Sequence, residues 1–276
     1  MLHLYSSSSN LGDNLALTPL VRSVQSIVHL YDDPCVRSIA PIFEGICDVR
    51  FDNGSPATHS PKTSDPGHPV APATKRLLIA HKDSPQDPDT DWDGVSVPEP
   101  VDLLAVPAIP SIKLWPWEQR VAKDFALEFK SKNLCVLKCN PQELNERTAP
   151  IELIKRIVAA NPTTTFLNFG LSKNHAKYNS AHISIEGVEE HLDLPIRVQA
   201  MLFSAIGRYV GVDSGDYHLM LAVGGKCDVL VPPSSPTYPY PLFHYGADCW
   251  LDKPSRVRYH DWTKPLGRSI TGVKLT

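Results

Sequence analysis

The stretch RYVGVDSGDYHLMLAVGGKCDVLV, residues 208–231, predicts the fold of the second half of the chain. An apolar strand ends at Val212, a turn of small and polar residues follows, and a helical pattern opens at Gly215. Gly224-Gly225 can supply a left-handed cap that ends this helix, and another apolar strand begins near Cys227. A strand, a helix and a strand in this order form half of a doubly wound unit, in which ligands bind at the carboxyl ends of the strands.

The turn Asp213-Ser214-Gly215 has the chemistry of an anion site. The first backbone N–H groups of a helix lack partners within it, and the helix dipole is positive at that end. Gly215 would let a phosphate approach the backbone, Ser214 can add a hydroxyl donor, and His218 can reach the same anion. The same pattern fits a capped turn without a ligand, with Ser214 or Asp213 as the N-cap and His218 partly buried. The residues alone leave both interpretations open.

Strands and helices alternate through the rest of the second half. Apolar runs at 134–139 and 164–170 predict buried strands, and amphipathic patterns at 150–160 and 194–207 predict helices. This alternation predicts parallel sheets with helices on both faces, which is an α/β fold.

The chain of 276 residues is long enough for two domains, which we place at 1–120 and 121–276. The first strand is expected at 2–5. Residues 52–75 are dense in Pro, Ser, Thr and Gly, which predicts a long surface loop inserted in the first domain. The basic tail, 253–276, is either solvated, faces a polyanion, or crosses back to the first domain.

Composition narrows the class of protein. Hydrophobic residues make up 42% and charged residues 21%, which is typical of a folded, soluble chain. A net charge of −3 gives no overall attraction to nucleic acid or anionic membrane. The six cysteines form no CxxC pair, so we expect no disulfide framework and a reducing, cytoplasmic location. We also expect no signal peptide and no transmembrane segment.

A second informative stretch, SSSSNLGDNLALTPLVRSV at 6–24, follows the first strand. A helical pattern begins either with Thr18 as the N-cap and Pro19 at the first helical position, or at Asp13 with Pro19 just beyond the first turn. Both alternatives place Asp13 at or near the junction of strand and helix.

Together the two stretches resemble the heptosyltransferase-like glycosyltransferases (glycosyltransferase family nine). Residues 208–231 are similar to the family's D-[ST]-G-x-x-H-x-A-A-x-x-G loop and helix, and 6–24 to its S-x-x-G-D-x-[VL]-x-x-[TL]-P-x-[LV] start. Both motifs lie at the expected ends of the chain and in the expected order. The segment 50–120 is not matched, and Asp216-Tyr217 replaces the small residues that often follow the loop.

The resemblance implies the GT-B fold, in which two Rossmann-like domains face each other across a cleft. It also implies an inverting glycosyltransferase that uses a nucleotide-sugar donor and needs no metal or other cofactor. Asp13 corresponds to the family's proposed general base, although an Asp at this position also suits a helix N-cap. Ser9, Asn10 and Gly12 are then expected to line the cleft beside it.

The resemblance further implies that Asp213, Ser214, Gly215 and His218 hold the donor diphosphate and stabilise charge on the leaving group. A basic residue of the loop after the first C-terminal strand should contribute. Lys138 and Arg147 are the candidates, and Arg147 is equally consistent with an exposed loop charge.

The acceptor is expected to be a glycan of the lipopolysaccharide type. One alternative is a virus-type enzyme acting on hydroxymethylated DNA bases, because aromatic residues lie beside the basic tail. These residues are Tyr238, Tyr240, Phe243 and Tyr245, which also suit simple packing. Another alternative is a non-catalytic nucleotide-sugar-binding protein. The sugar, the nucleotide, the oligomeric state and any protein partners stay open.

Overall fold

The computed structural model describes residues 2–6, 11–23, 26–32, 34–52, 74–76, 95–98, 111–128, 133–139, 148–170, 183–232 and 256–276. These residues form two compact units, one extending to Lys113 and the other beginning at Leu114. Each unit contains its own β-sheet. No helix in the described ranges combines the length and the apolar character needed to cross a membrane.

The described residues of the first unit form five strands, two α-helices and one 3-10 helix. In chain order these are β1 (Leu2–Ser6), α1 (Leu11–Ser23), β2 (Ser26–Tyr31), α2 (Pro34–Ile39), the 3-10 helix Ala40–Phe43, β3 (Asp48–Asp52), β4 (Thr74–Arg76) and β5 (Val95–Pro98). The sheet order is β3-β2-β1-β5-β4. The first three strands are parallel, as predicted, whereas β5 runs antiparallel to β1 and to β4. An antiparallel pair needs no helical crossover.

Helix α1 passes through Pro19 instead of beginning there, so the prediction that Thr18 is the N-cap is wrong. Proline has no N–H and therefore leaves the carbonyl four residues earlier, that of Leu15, without its helical donor. The buried Thr18 hydroxyl donates to this Leu15 oxygen at 2.7 Å. Thr18 Oγ1 in turn accepts a hydrogen bond from Ser111 N at 2.9 Å. The Thr18 hydroxyl thus replaces the donor that Pro19 lacks, and it also connects the chain at Ser111 to helix α1.

Six strands and four helices lie in the described part of the second unit. In chain order these are α3 (Pro116–Glu128), β6 (Asn133–Lys138), α4 (Ile151–Ala159), β7 (Thr164–Gly170), β8 (Val188–Leu192), α5 (Ile196–Ile206), β9 (Arg208–Val212), α6 (Gly215–Ala222), β10 (Lys226–Val231) and β11 (Val257–Asp261). The sheet order is β11-β10-β9-β6-β7-β8, and every pair is parallel. With the strands of this unit numbered from its own beginning, the order reads 3-2-1-4-5-6, that of the Rossmann fold.

The interior strands form the core of this unit. The central residues of β6, β7, β9 and β10 are buried, as expected for parallel strands covered on both faces. Helix α4 packs Leu153, Ile154 and Ile157 against them. The predicted strands and helices of 134–222 are therefore present, with bounds that differ by one or two residues.

Within the second unit, a buried ion pair connects helix α3 to helix α5. Glu118 is fully buried and pairs through both carboxylate oxygens with Arg197 of α5, one oxygen lying 2.6 Å from Nε. The same carboxylate accepts a hydrogen bond from Trp115 N at 2.7 Å, which caps the helix, and Pro116 occupies the first helical position.

The basic segment near the end of the chain is not a solvated tail where β11 joins the sheet, so that interpretation is wrong there. Its position depends on the buried carboxylate of Asp228 in β10, which lies 2.7 Å from His260 Nε2 and accepts hydrogen bonds from Ser269 Oγ at 2.6 Å and Thr271 Oγ1 at 2.7 Å. Burial alone would raise the pKa of Asp228, but these hydrogen bonds lower it below its ordinary value. Val273 then reaches the core beside α4.

Candidate functional site

The second sheet reverses its strand order between β6 and β9. In an open α/β sheet such a reversal opens a crevice at the carboxyl ends of the strands, where ligands bind. Lys138 is the last residue of β6 and pairs in register with Gly211 of β9, which ends one residue later at Val212. The structure thus brings Lys138 and the predicted loop Asp213-Ser214-Gly215 to the same edge of the sheet.

The loop adopts an extended conformation before the helix begins. Ser214 occupies the N-cap position of α6 with φ −156° and ψ 168°, yet its side chain makes no capping hydrogen bond. The Ser214 hydroxyl instead lies 3.1 Å from the hydroxyl of Tyr209, which donates to the Val212 carbonyl at 2.6 Å. The interpretation in which the Ser214 side chain caps the helix is therefore wrong. Its hydroxyl interacts instead with the phenol of Tyr209, which lies in strand β9.

The side chains around this loop are withdrawn from water. As whole residues, Asp213, Asp216 and His218 are each exposed by 7% or less, and the His218 ring packs on the Tyr217 ring with centroids 4.1 Å apart. Burial lowers the pKa of His218 to about 3, because desolvation disfavours the imidazolium. His218 is therefore neutral at pH 7. It can offer one hydrogen bond, but it does not contribute a positive charge to this site.

Lys138 provides that charge instead. Its ammonium donates to the Phe169 carbonyl and lies 3.4 Å from Asp216 Oδ2, with the two side chains exposed by only 13% and 10%. Two glycines make room for it. A Cβ on Gly170, whose φ is +143°, would collide with Lys138 Nζ, and a Cβ on Gly211 would collide with the Lys138 backbone.

The charges of this site are unevenly distributed. Asp216 brings a carboxyl group beside the ammonium of Lys138, Asp213 adds a second carboxyl group in the loop before α6, and the backbone N–H groups of the first turn of α6 add partial positive charge. An anion bound here would therefore depend on the helix terminus and Lys138 together. Within the described ranges, no group of three His, Cys, Asp or Glu side chains could hold a metal ion.

Other predicted site residues belong to other segments of the chain. Arg147, Ser9 and Asn10 lie outside the described residues. Gly12 and Asp13 lie in the first turn of α1, on the segment that follows β1 of the first unit. The roles assigned to them, and to the loop residues, stay predictions.

Sequence reasoning missed two contributors to the site. Tyr209 acts through its hydroxyl, and the available signal was one polar atom in a mostly apolar strand, five residues before Ser214. The Phe169 contact uses a backbone carbonyl, which no residue type reveals. Asp216 was visible only as a departure from the expected small residue.

Comparison with known proteins supports the fold. No protein-family model matches the chain, and no curated protein matches its sequence. The structure is similar to that of the glycosyl transferase family 9 protein from Veillonella parvula DSM 2008, with a TM-score of 0.55 and 13% identity, covering 91% of this chain and 83% of that one. It is also similar to ADP-heptose lps heptosyltransferase II from E. coli, with a TM-score of 0.58 and 15% identity, covering 94% of this chain and 90% of that one. The predicted α/β fold with two Rossmann-like domains, the GT-B type, is thereby confirmed.

Proposed function

We propose that this protein is an inverting, metal-independent glycosyltransferase that moves a sugar from a nucleotide-sugar donor to an acceptor hydroxyl. The observation that carries the proposal is the meeting of Lys138 with the loop Asp213-Ser214-Gly215 at the switch point of a sheet in Rossmann order. The likeness of the fold to two glycosyltransferase structures supports the same conclusion.

The donor diphosphate would lie on the first turn of α6. Backbone N–H groups there can donate to phosphate oxygens, and Gly215 leaves the approach open. Lys138 has three N–H donors. One is directed to Phe169 O, and the ammonium also lies 3.4 Å from Asp216 Oδ2, so a third N–H is available for a phosphate oxygen. These fixed groups would stabilise the charge that develops on the leaving diphosphate, which is the task a divalent cation performs in other enzymes.

Asp13 would act as the general base. It would take the proton of the acceptor hydroxyl while that oxygen forms a bond to the anomeric carbon and the bond from this carbon to the diphosphate oxygen breaks. The electron pair leaves with the diphosphate, and attack from the opposite side inverts the anomeric centre. The position of Asp13 in the first turn of α1, after the carboxyl end of β1, is consistent with this role.

The acceptor is proposed only as a hydroxyl-bearing glycan. The aromatic residues that suggested a DNA acceptor, Tyr238 to Tyr245, lie outside the described residues, and no observation in the structure favours that alternative. One solved relative in fold is described as acting with ADP-heptose, which makes an ADP-sugar the first donor to try and leaves heptose as one option among several.

Donor binding can be tested by thermal shift with ADP-, UDP-, GDP- and CMP-sugars. A ligand at a hundred times its Kd should add about 2.7 kcal/mol, which corresponds to roughly 5–10 °C for a chain of this size. The variant Lys138→Met should weaken binding by about tenfold or more, because it removes a charge-assisted hydrogen bond. Lys155→Met, which removes an exposed lysine of α4, is the matched control.

Catalysis needs a separate readout. Asp13→Asn should lower kcat by about a hundredfold or more while leaving the donor Kd unchanged, as expected for loss of a general base.

If no nucleotide sugar stabilises the protein, or if Lys138→Met binds donors as tightly as the native chain, the assignment of this donor site is wrong.

A further inference from the structure

The donor site holds a carboxylate where a bound polyanion would be repelled. Asp216 lies in the first turn of α6, the part of the helix whose N–H groups would receive the phosphates, and it is almost completely buried. Its Oδ2 lies 3.4 Å from Lys138 Nζ. A surface carboxylate would be screened by solvent, but one exposed by only 10% keeps most of its field within the site.

The distance from Asp216 to a bound phosphate can be bounded. A phosphate oxygen that accepts a hydrogen bond from an ammonium lies about 2.8 Å from it. Since Lys138 Nζ is itself 3.4 Å from Asp216, such an oxygen lies within roughly 6 Å of the carboxylate. That distance is shorter than the Debye length of about 8 Å at physiological ionic strength, so the repulsion is not screened away.

We propose that Asp216 is a fixed counterion of Lys138 that weakens the binding of the leaving nucleoside diphosphate more than the binding of the intact nucleotide sugar. This inference rests on the proposed function. The diphosphate of a nucleotide sugar carries two negative charges, because both phosphates are esterified. The released nucleoside diphosphate has an additional ionisable oxygen, whose pKa near 6 gives it close to three charges at pH 7. A carboxylate beside the site therefore repels the product more strongly than the donor and favours its release.

The site is built to keep this pair in place. Phe169 O holds the Lys138 ammonium from the neighbouring strand, and Gly170 leaves the space that the ammonium occupies. Lys138 therefore does not need to abandon Asp216 in order to contact a phosphate, because its third N–H is sufficient. Asp216 and the product act on the same cation at the same time, and their mutual repulsion is the physical source of the effect.

Isothermal titration of the full chain with inorganic pyrophosphate, ADP and ADP-glucose tests the inference. In Asp216→Asn, pyrophosphate and ADP should bind about tenfold or more tightly than in the native chain, and ADP-glucose should gain several-fold less. In Asp216→Ala the affinity gains for the three ligands should follow the same order. This variant shows that the gains do not come from hydrogen bonds donated by the asparagine amide of Asp216→Asn. Glu152→Gln removes one negative charge from the exposed surface of α4 and should leave all three affinities unchanged.

The outcomes separate the two proposals. Equal or weaker pyrophosphate and ADP binding in both Asp216 variants, with native binding intact, overturns the counterion role and leaves the proposed function standing. Equal gains for ADP and ADP-glucose also overturn it, because the effect would not discriminate product from donor. If the native chain and both variants bind none of the three ligands while remaining folded, the donor site itself is wrong.

Discussion

The stability of the second unit should fall between pH 7.5 and pH 5 because one buried imidazole cannot accept a proton. His218 has a pKa of about 3 in the folded protein, against 6.5 in the unfolded chain. Between these two values the unfolded state binds more protons, so stability decreases as the pH falls. Integration over this interval gives a loss of about 2 kcal/mol, most of it between pH 6.5 and 5.

Urea unfolding of the full chain at pH 7.5 and pH 5 measures this loss. His218→Gln cannot take up the proton in either state, so the difference in unfolding free energy between the two pH values should shrink by about 2 kcal/mol relative to the native chain. His191→Gln removes a half-exposed histidine of β8 from the same unit and serves as the control. If His218→Gln loses as much stability on acidification as the native chain, burial does not hold this imidazole neutral and the reasoning about the site charge is wrong.

Two further substitutions test the packing of each unit. Gly211→Ala should cost about 1–3 kcal/mol in urea unfolding, since its Cβ would collide with the backbone of β6, whereas Gly267→Ala, which meets no atom within 4 Å, should stay within about 0.5 kcal/mol. Thr18→Val should destabilise the first unit by about 1–3 kcal/mol, because the Leu15 carbonyl and the Ser111 amide both lose their partner. A Thr18→Val protein with native stability would show that neither hydrogen bond contributes.

The interior of the second sheet was predictable from sequence, and its edges were not. Interior strands such as β7 and β10, with the sequences TTFLNFG and KCDVLV, contain short apolar segments at their buried positions, because both faces are covered by helices. The edge strands β8 and β11, with the sequences VEEHL and VRYHD, carry charged residues, and one side of each has no neighbour among the strands that the structure describes. The composition of β11 therefore indicated a tail, β8 was not predicted, and the pairing with β10 and β7 identifies them as strands.

In the candidate site, too, some features could be predicted from sequence and others could not. The loop Asp213-Ser214-Gly215 was visible because a small-residue turn between a strand and a helix is a local pattern. Lys138 could be named but not preferred over Arg147, since its position depends on strand order, which is a property of the whole sheet. The neutral state of His218 depends on burial by surrounding elements, which its neighbours in sequence do not disclose.

The hydrogen bonds around Asp228 bear on how the protein is made. A ribosome releases β10 well before the partners of this carboxylate exist, because His260 follows Asp228 by 32 residues and Thr271 by 43. Until those residues emerge, a charged group destined for the interior has no donors, and the nascent sheet cannot enclose it without a large desolvation cost. We therefore expect the second unit to close around Asp228 only after Thr271 has been synthesised.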